Sequence, residues 1–467
     1  MATTTASEQT VTGRQMFPVI LASTLGTTIE WYDFFLYGTM ATLVFPKLFF
    51  PTKDPFVSVI LSLSSFLLGF IARPIGGIFF GNLGDRIGRK STLIATLLLM
   101  GISTLVIGFI PGYATIGVAA PVIVSIMRFL QGLGVGGEWG GSVLLALEYG
   151  HGRNRGFWAS WPQAGVPLGL LLSSVAIAVF EALAGDQFSN WGWRIPFYLS
   201  ALLIIVGLYI RLRILETPLF AKVQEEKSEA KAPVLDVLRY NWEEIILSAG
   251  VRFVEQAPFY LFTVFVVLYG KHLHLNNQLI LLGIYIAAFI ELFTIPWFSL
   301  LSDRYGRRRW YLLGCLLMLV FAFPYFLLFN TGNPVLVILA IVLSLALCHA
   351  FVYGPQAALI AERFTTKLRY SGASLGYQLA APFAGGLSPI IAVTLLEKFG
   401  GDSTPIALYI IILAAFSFTA VLGLKEFTRK DISADATYAL PAEEISTPLP
   451  DRTPVQAIAP EAINPVP

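Results

Sequence analysis

Charge is scarce in this chain, and its scarcity settles the broad class. Only 13% of the 467 residues are Asp, Glu, Lys or Arg, against 56% hydrophobic residues and a mean hydropathy of +0.71. A soluble protein of this length needs far more polar surface, so most of the chain faces lipid. Cysteine is almost missing too. Cys315 and Cys348 both lie in apolar runs, which suggests neither a disulfide framework nor a metal site. No nucleophile triad, metal-ligand cluster or phosphate loop is present, and the glycine-rich run 132–141 lacks a Lys-Ser/Thr end. The reading is therefore not an enzyme, and no cofactor is expected. A net charge of +2 gives no reason to expect nucleic acid as a partner.

What is present is a series of long apolar runs. A hydrocarbon core of about 30 Å needs about 20 apolar residues per helix. Such runs fall at 18–45, 57–82, 91–111, 117–147, 156–184, 193–212, 245–270, 278–301, 310–330, 334–359, 372–396 and 405–424. Barrel strands would be about ten residues of alternating polarity, so they are excluded. The expectation is an all-α polytopic membrane protein of twelve transmembrane helices in two pseudo-symmetric six-helix bundles. Its parts are an N-terminal segment 1–16, a first bundle 17–214, a central loop 215–242, a second bundle 243–428 and a tail 429–467.

Of the 31 Lys and Arg, 23 fall in what would be inner loops and tails, five in outer loops, and three (Arg73, Arg128, Arg252) inside spans. That bias predicts a multi-pass protein of a bacterial inner membrane with both termini cytoplasmic. Met1–Gln15 lacks a cleavable signal pattern, so the first helix should serve as an uncleaved signal. The last ~37 residues, from Asp431, carry seven prolines and read as a disordered tail without heptads.

Two spans end in the same charged box. Asp85-Arg86-Ile-Gly88-Arg89 and Asp303-Arg304-Tyr-Gly306-Arg307 lie 218 residues apart. A repeat of about half the folded chain in a membrane protein points to two halves built alike and to secondary transport. The residues Asp85, Arg86, Arg89, Asp303, Arg304 and Arg307 are candidates for a gate, the acids accepting from Arg or from a helix N-terminus. The glycines permit a tight turn. Glu148 and Glu362, each ending a span before further basic residues, are candidates for ion pairs with the boxes.

The doubled Asp-Arg-x-Gly-Arg box resembles the signature of the major facilitator superfamily. Arg128-Phe-Leu-Gln-Gly-Leu-Gly-Val-Gly-Gly-Glu138-Trp-Gly-Gly141 is similar to the fourth-helix motif of its metabolite:proton symporter family. Supporting blocks are Glu30-Trp-Tyr-Asp33-Phe, Ala72-Arg73-Pro74-Ile-Gly-Gly, Trp193-Arg194-Ile-Pro196-Phe and Arg213-Ile-Leu-Glu216-Thr-Pro218-Leu-Phe. The resemblance runs from about residue 17 to 428. It implies the major facilitator fold and proton-coupled uptake of a small molecule. Members of that family carry α-ketoglutarate, citrate, shikimate and other organic acids, and also zwitterionic osmolytes such as proline and betaine.

Ionisable side chains at bilayer depth are functional candidates by default. Glu30, Asp33 and Tyr37 share one face of the first helix, and Arg128, Gln131, Glu138 and Ser142 share one of the fourth. By the resemblance, Asp33 with Arg128, and Glu30 close behind, would form the proton switch: paired, the acid stays ionised, and it takes a proton when the Arg is drawn away. The alternative is a static pair that only packs the bundle. Arg252, Glu255, Gln256 and Tyr260 mark the seventh helix. Arg252 can bind a substrate carboxylate bidentately, or be neutralised by Glu255. Arg73 is a second anchor candidate, or a helix-kink residue beside Pro74. His349, Tyr353 and Gln356 share a face, with His349 a proton relay or a structural histidine. Glu291 has no evident mate. Trp158, Trp161, Gln163, Tyr377 and Gln378 complete the candidate lining.

Three intramembrane arginines suit an anion. The expected function is therefore symport of a small organic acid with a proton, driven by the proton motive force and carried out by a monomer in the bilayer. Symport of a proline- or betaine-like zwitterion is the first alternative, and drug/proton antiport the second, since Ala164-Gly165-Val-Pro167-Leu-Gly169 is only a partial likeness to an exporter motif.

Overall fold

The computed structural model describes residues 13–150, 154–213 and 233–428. Residues 1–12 of the expected N-terminal segment 1–16, the proline-rich tail from 429, most of the central loop and the block 214–220 lie outside the described residues. Among the described residues the regular elements are helices.

Among the described residues, eleven helices are long and apolar enough to cross a membrane. With the helix that precedes them they are numbered here α1 (Gly13–Leu43), α2 (Val57–Ile87), α3 (Arg89–Phe109), α4 (Ala119–Tyr149), α5 (Arg155–Gly192), α6 (Arg194–Leu212), α7 (Trp242–His272), α8 (Asn277–Tyr305), α9 (Arg307–Phe329), α10 (Pro334–Ala361), α11 (Arg369–Lys398) and α12 (Thr404–Gly423). The odd one out is α1. Its 31 residues reach about 46 Å at 1.5 Å per residue, yet Glu30, Asp33 and a run of Ser and Thr lower its apolarity. The charge that disqualifies it by composition is what the site is built from.

Sequence and structure part company at the charged boxes. They read as loops, but Asp85 and Arg86 lie in the last turn of α2, and Asp303 and Arg304 in the last turn of α8. One residue breaks each helix. Gly88 has φ 109° and Gly306 φ 97°, a region that a Cβ makes costly. The box is thus helix, glycine, helix, which fixes the acid on one side of the break and the Arg on the other. A short helix, Pro233–Tyr240, also occupies the end of the expected central loop.

Within the first half α2 packs on α4, α1 on α5, and α3 on α4 and α6; in the second, α9 packs on α12 and α8 on α10. The halves meet where α11 lies on α2 and α8 on α5. The α2–α4 contact is backbone to backbone. A Cβ on Gly132 would sit 2.1 Å from the Gly69 carbonyl oxygen, and one on Gly136 would sit 2.2 Å from that of Arg73. The glycine ridge therefore sets the depth at which Arg73 and Arg128 face each other. π turns interrupt α7 at Leu261–Phe265, α10 at Leu343–His349 and α11 at Ala381–Gly386. All three helices line the centre of the molecule. Such turns widen a helix locally and are common at functional sites.

Candidate functional site

The charged face holds two copies of one latch. In the first, the Asp85 carboxylate accepts from the backbone N–H groups of Tyr370 (3.3 Å) and Ser371 (2.8 Å), at the start of α11. In the second, Asp303 accepts from Gly156 (3.1 Å) and Phe157 (2.9 Å), at the start of α5. Each acid reaches from its own half to the positive end of a helix in the other. Beside them, Glu148 binds Arg89 of its own half (2.9 Å) and Arg369 of the other (3.2 Å). Glu362 takes a two-pronged contact from Arg307 of its own half (2.8 and 2.6 Å) and one from Arg155 of the other (2.5 Å). Arg307 also holds Asp303 at 2.5 Å. Burial alone would push the Glu362 carboxyl up; the Arg307 and Arg155 guanidiniums outweigh it and hold it below the usual glutamate range. Gly156 is what allows the close approach, since a Cβ there would lie 2.4 Å from Arg307 Nη1. Arg86 and Arg304, expected in the gate, are exposed on the outer side of their helices; Arg89 and Arg307, beyond the glycine, turn inward instead.

Between the halves lies a cavity of only about 10 Å³, lined by Trp31, Val166, Arg252, Glu255, Gln256, Phe259, Tyr260, His349, Tyr353 and Tyr377. That is the room of about one water, so this is a state closed around its centre. Tyr260 meets Phe34 (centroids 6.1 Å apart) and Phe70 (5.1 Å), and Tyr377 stacks on Trp139 at 3.5 Å. Seven of the expected substrate residues line this cavity. Trp161 does not: it is half-buried and packs on Phe157, towards the latch. Gln163 accepts from Trp139 Nε1 at 2.9 Å, and Gln378 donates to the Val135 carbonyl at 3.2 Å.

The central charges of the second half are paired with one another. Arg252 pairs with Glu255 (2.9 Å), donates to Gln356 (3.2 Å) and lies 3.3 Å from the Tyr377 ring centroid. Glu255 is 3.4 Å from His349 Nε2, and Glu291, whose mate the sequence did not reveal, is 2.6 Å from His349 Nδ1. Both ring nitrogens thus face carboxylates, an arrangement that suits an imidazolium donating twice. In this closed state Arg252 is engaged by Glu255 and Gln356.

The arginines of the first half stand differently. Arg73 and Arg128 are each 1% exposed, and neither has a carboxylate partner among the described residues. Arg128 donates to Gln131 (3.1 Å), which in turn donates to Thr104 (2.6 Å). Its guanidinium lies 4.4 Å from the centroids of Phe34 and Tyr37 and 4.6 Å from that of Phe66. Arg73 lies 4.6 Å from the centroids of Phe34 and Phe70 and 5.4 Å from that of Trp31. Tyr37 is fixed by Ser65 at 2.7 Å. Cation–π contacts of this kind offset part of the cost of burial, but Nε and Nη2 of both arginines have no hydrogen-bond partner.

The expected Asp33–Arg128 pair is not formed. Arg128 lies against α2, where a Cβ on Gly69 would come within 2.6 Å of its Nε, whereas Asp33 faces α6 and accepts from Ser200 at 2.5 Å. Asp33 and Phe34 are successive residues, so they point about 100° apart around α1, and it is Phe34 that meets the arginines. On the Asp33 side a second cavity of about 10 Å³ is lined by Glu30, Asp33, Thr96, Glu138 and Arg211 among others. Glu138 accepts from Arg211, from Ser142 (2.6 Å) and from Thr96 (3.2 Å). Sequence reasoning counted Arg211 among the inner loops. It is 3% exposed, runs back from the end of α6, donates to the Leu93 carbonyl, and occupies space that a Cβ on Gly26 would fill. The available signal was the small residue at 26 in a stripe with Glu30 and Asp33.

Residues 24–389 match the family model described as Major Facilitator Superfamily. The chain is 40% identical to the inner membrane metabolite transport protein YhjE of Escherichia coli over 86% of this chain and 93% of that one. It is 36% identical to the shikimate transporter of the same organism (88% and 94%), and 34% identical to the proline/betaine transporter of Salmonella typhimurium (91% and 86%). Among solved structures, the proton:xylose symporter XylE superposes with a TM-score of 0.72 over 90% of this chain and 98% of that one, at 19% identity, a likeness of fold. The chain belongs to the Major Facilitator Superfamily and is a multi-pass membrane transporter of metabolites, not an enzyme.

Proposed function

We propose that the chain is a proton-coupled symporter that imports a small organic acid, with the charged face and both termini in the cytoplasm. The observation that carries this reading is the pair of buried guanidiniums, Arg73 and Arg128, that lack a carboxylate. Buried charge is tolerated when paired, and a substrate carboxylate is the partner these two are missing. Their planar forks suit two-pronged binding of a carboxylate, and Trp31, Tyr260 and Tyr377 at the adjoining cavity would flank its apolar part. Arg252 with Glu255, and His349 with Glu291, line or back the far wall as a balanced network.

The cycle would be alternating access around this centre. The latches at Asp85–Glu148 and Asp303–Glu362 close the charged face here; their parting would open the path inward. Coupling is assigned to Asp33 and Glu30 with the proton motive force as the energy source, and the protein is taken to work as a monomer. The concentration of Lys and Arg on one face supports the orientation. The proline/betaine relatives support a second reading, in which a zwitterion presents its carboxylate to the same arginines and its cationic group to Glu255.

Thermal stabilisation of the detergent-purified protein by shikimate, 2-oxoglutarate, citrate, benzoate, proline and glycine betaine separates these readings. One or more anions should stabilise it, more strongly at acid pH, with the effect lost in Arg128→Gln. Stabilisation by glycine betaine or proline alone would replace the organic acid with an osmolyte.

A further inference from the structure

We propose that the short helix Pro233–Tyr240 is seated in the bilayer interface and straps the α2–α11 seam from the lipid side. The membrane is then the partner that helps to hold the charged face closed. The helix lies against α2 of the first half and α11 of the second, the two helices that the Asp85 latch joins. Its inward side is Pro233 and Val237. Val237 is fully buried, in an apolar cluster that also holds Val143, Leu144 and Leu147 of α4 and Tyr370 and Ala373 of α11. The strap therefore rests on both halves. Only Asn241 stands between it and α7, so it travels with the second half, and opening the face breaks its hold on the first.

The outward side is unlike that of an aqueous loop. Leu235 is 67% exposed, and Leu238, three residues on, is exposed on the same face. Trp242 (56% exposed) and Ile246 follow at intervals of four and carry the apolar stripe onto α7, a spanning helix whose exposed side chains face lipid. Arg239 and Tyr240 stand beside it, the guanidinium 5.4 Å from the ring centroid; an apolar body with a polar tip suits the headgroup layer. The helix carries one acid, Asp236, and one base, Arg239, so headgroup charge gives it no net pull and apolar burial must hold it. A second copy or a soluble partner would cover Leu235 and Leu238 without giving the stripe any reason to run on to Ile246. Eight residues are too few for a helix to persist in water. Burial of Leu235 and Leu238 in the interface keeps it folded, and folded it presents Val237 to the seam.

The test uses the full chain in phosphatidylcholine vesicles, with Cys315 and Cys348 replaced by serine. Nitroxide labels on Leu235→Cys and Leu238→Cys should relax faster with oxygen, which partitions into lipid, than with a water-soluble nickel chelate. A label on Glu243→Cys, exposed and turned about 100° from Trp242, should do the reverse. Adding phosphatidylglycerol should leave the pattern unchanged; a pattern that needs it overturns the apolar seat. Labels at 235 and 238 that favour the nickel chelate, or are shielded from both reagents, overturn the proposal, placing the face in water or under another protein surface. Opening is read as the alkylation rate of Ser371→Cys, which is buried behind Asp85. Val237→Ala should raise that rate about tenfold. Leu235→Glu with Leu238→Glu should raise it at least as much, and all three together no further than the glutamate pair. Leu235→Phe with Leu238→Phe should leave it within about twofold. A glutamate pair that leaves the rate unchanged, in a protein with an unaltered size-exclusion profile, would mean a helix that lies on the membrane without holding the seam, and overturns the strap.

Discussion

Replacing Glu362 by Gln should unlatch the charged face. The carboxylate sits against three contacts from Arg307 and Arg155 at 2.5–2.8 Å, with side chains 9% exposed or less. Removing one partner of a buried ion pair costs about 3–5 kcal/mol, because the other charges are left uncompensated. Glutamine keeps the shape and one acceptor, so the low end, about 3 kcal/mol, applies. If the loss falls only on the closed state, the closed-to-open ratio drops about 100-fold. Asp303 stays on the α5 N-terminus in this variant, so the latch is weakened rather than erased. The readout is alkylation of a cysteine at Ser371, which is buried behind Asp85 in the closed face, with Cys315 and Cys348 replaced by serine. The rate should rise about 100-fold in Glu362→Gln. A rise below about threefold, in a protein that remains folded, would refute the claim that this network holds the face shut.

The pseudo-symmetry makes a second expectation: Glu148→Gln should accelerate the same alkylation by a comparable factor, since Glu148 joins Arg89 to Arg369 as Glu362 joins Arg307 to Arg155. The pH dependence of the latch follows from the depressed Glu362 carboxyl. Its contribution is fully present above the ordinary glutamate value of about 4.3 and is lost only as pH falls through a lower value, so the ratio of alkylation rates between Glu362→Gln and the Glu362 parent, which cancels the thiolate fraction, should be flat with pH across the neutral range. Gly132→Ala should destabilise the protein by about 1–3 kcal/mol or more, measured as a lower unfolding temperature, because its Cβ would lie 2.1 Å from the Gly69 oxygen. Arg252→Gln should weaken acid binding less than Arg128→Gln does, since Arg252 already has Glu255; stabilisation by the bound acid measures both.

The spans and the doubled box were legible because a chain with so little charge makes each charged repeat conspicuous. The role of the box glycines was legible as a turn, but their reach was not. A helix that continues through Asp85 to Ile87 before Gly88 breaks it at positive φ has no signature in hydropathy. Pairings between helices were the least legible. Glu291 and His349 are 58 residues apart in sequence, and only the rotation of α8 against α10 brings them together. Asp33 and Arg128 lie at matching depth, yet the side of α1 that each faces is set by packing, Gly69 drawing the arginine to α2 and Ser200 holding the acid to α6. Arg211 was misassigned because a long side chain at a helix end can point to either phase.

The most direct test of the account is uptake into proteoliposomes of the acid that best stabilises the purified protein, with the exterior made acid relative to the lumen. The account predicts accumulation above the external concentration, abolished by a protonophore and absent in Arg128→Gln. Uptake that only equilibrates the acid whatever the pH gradient, or accumulation driven by a gradient of the opposite sense, would contradict it.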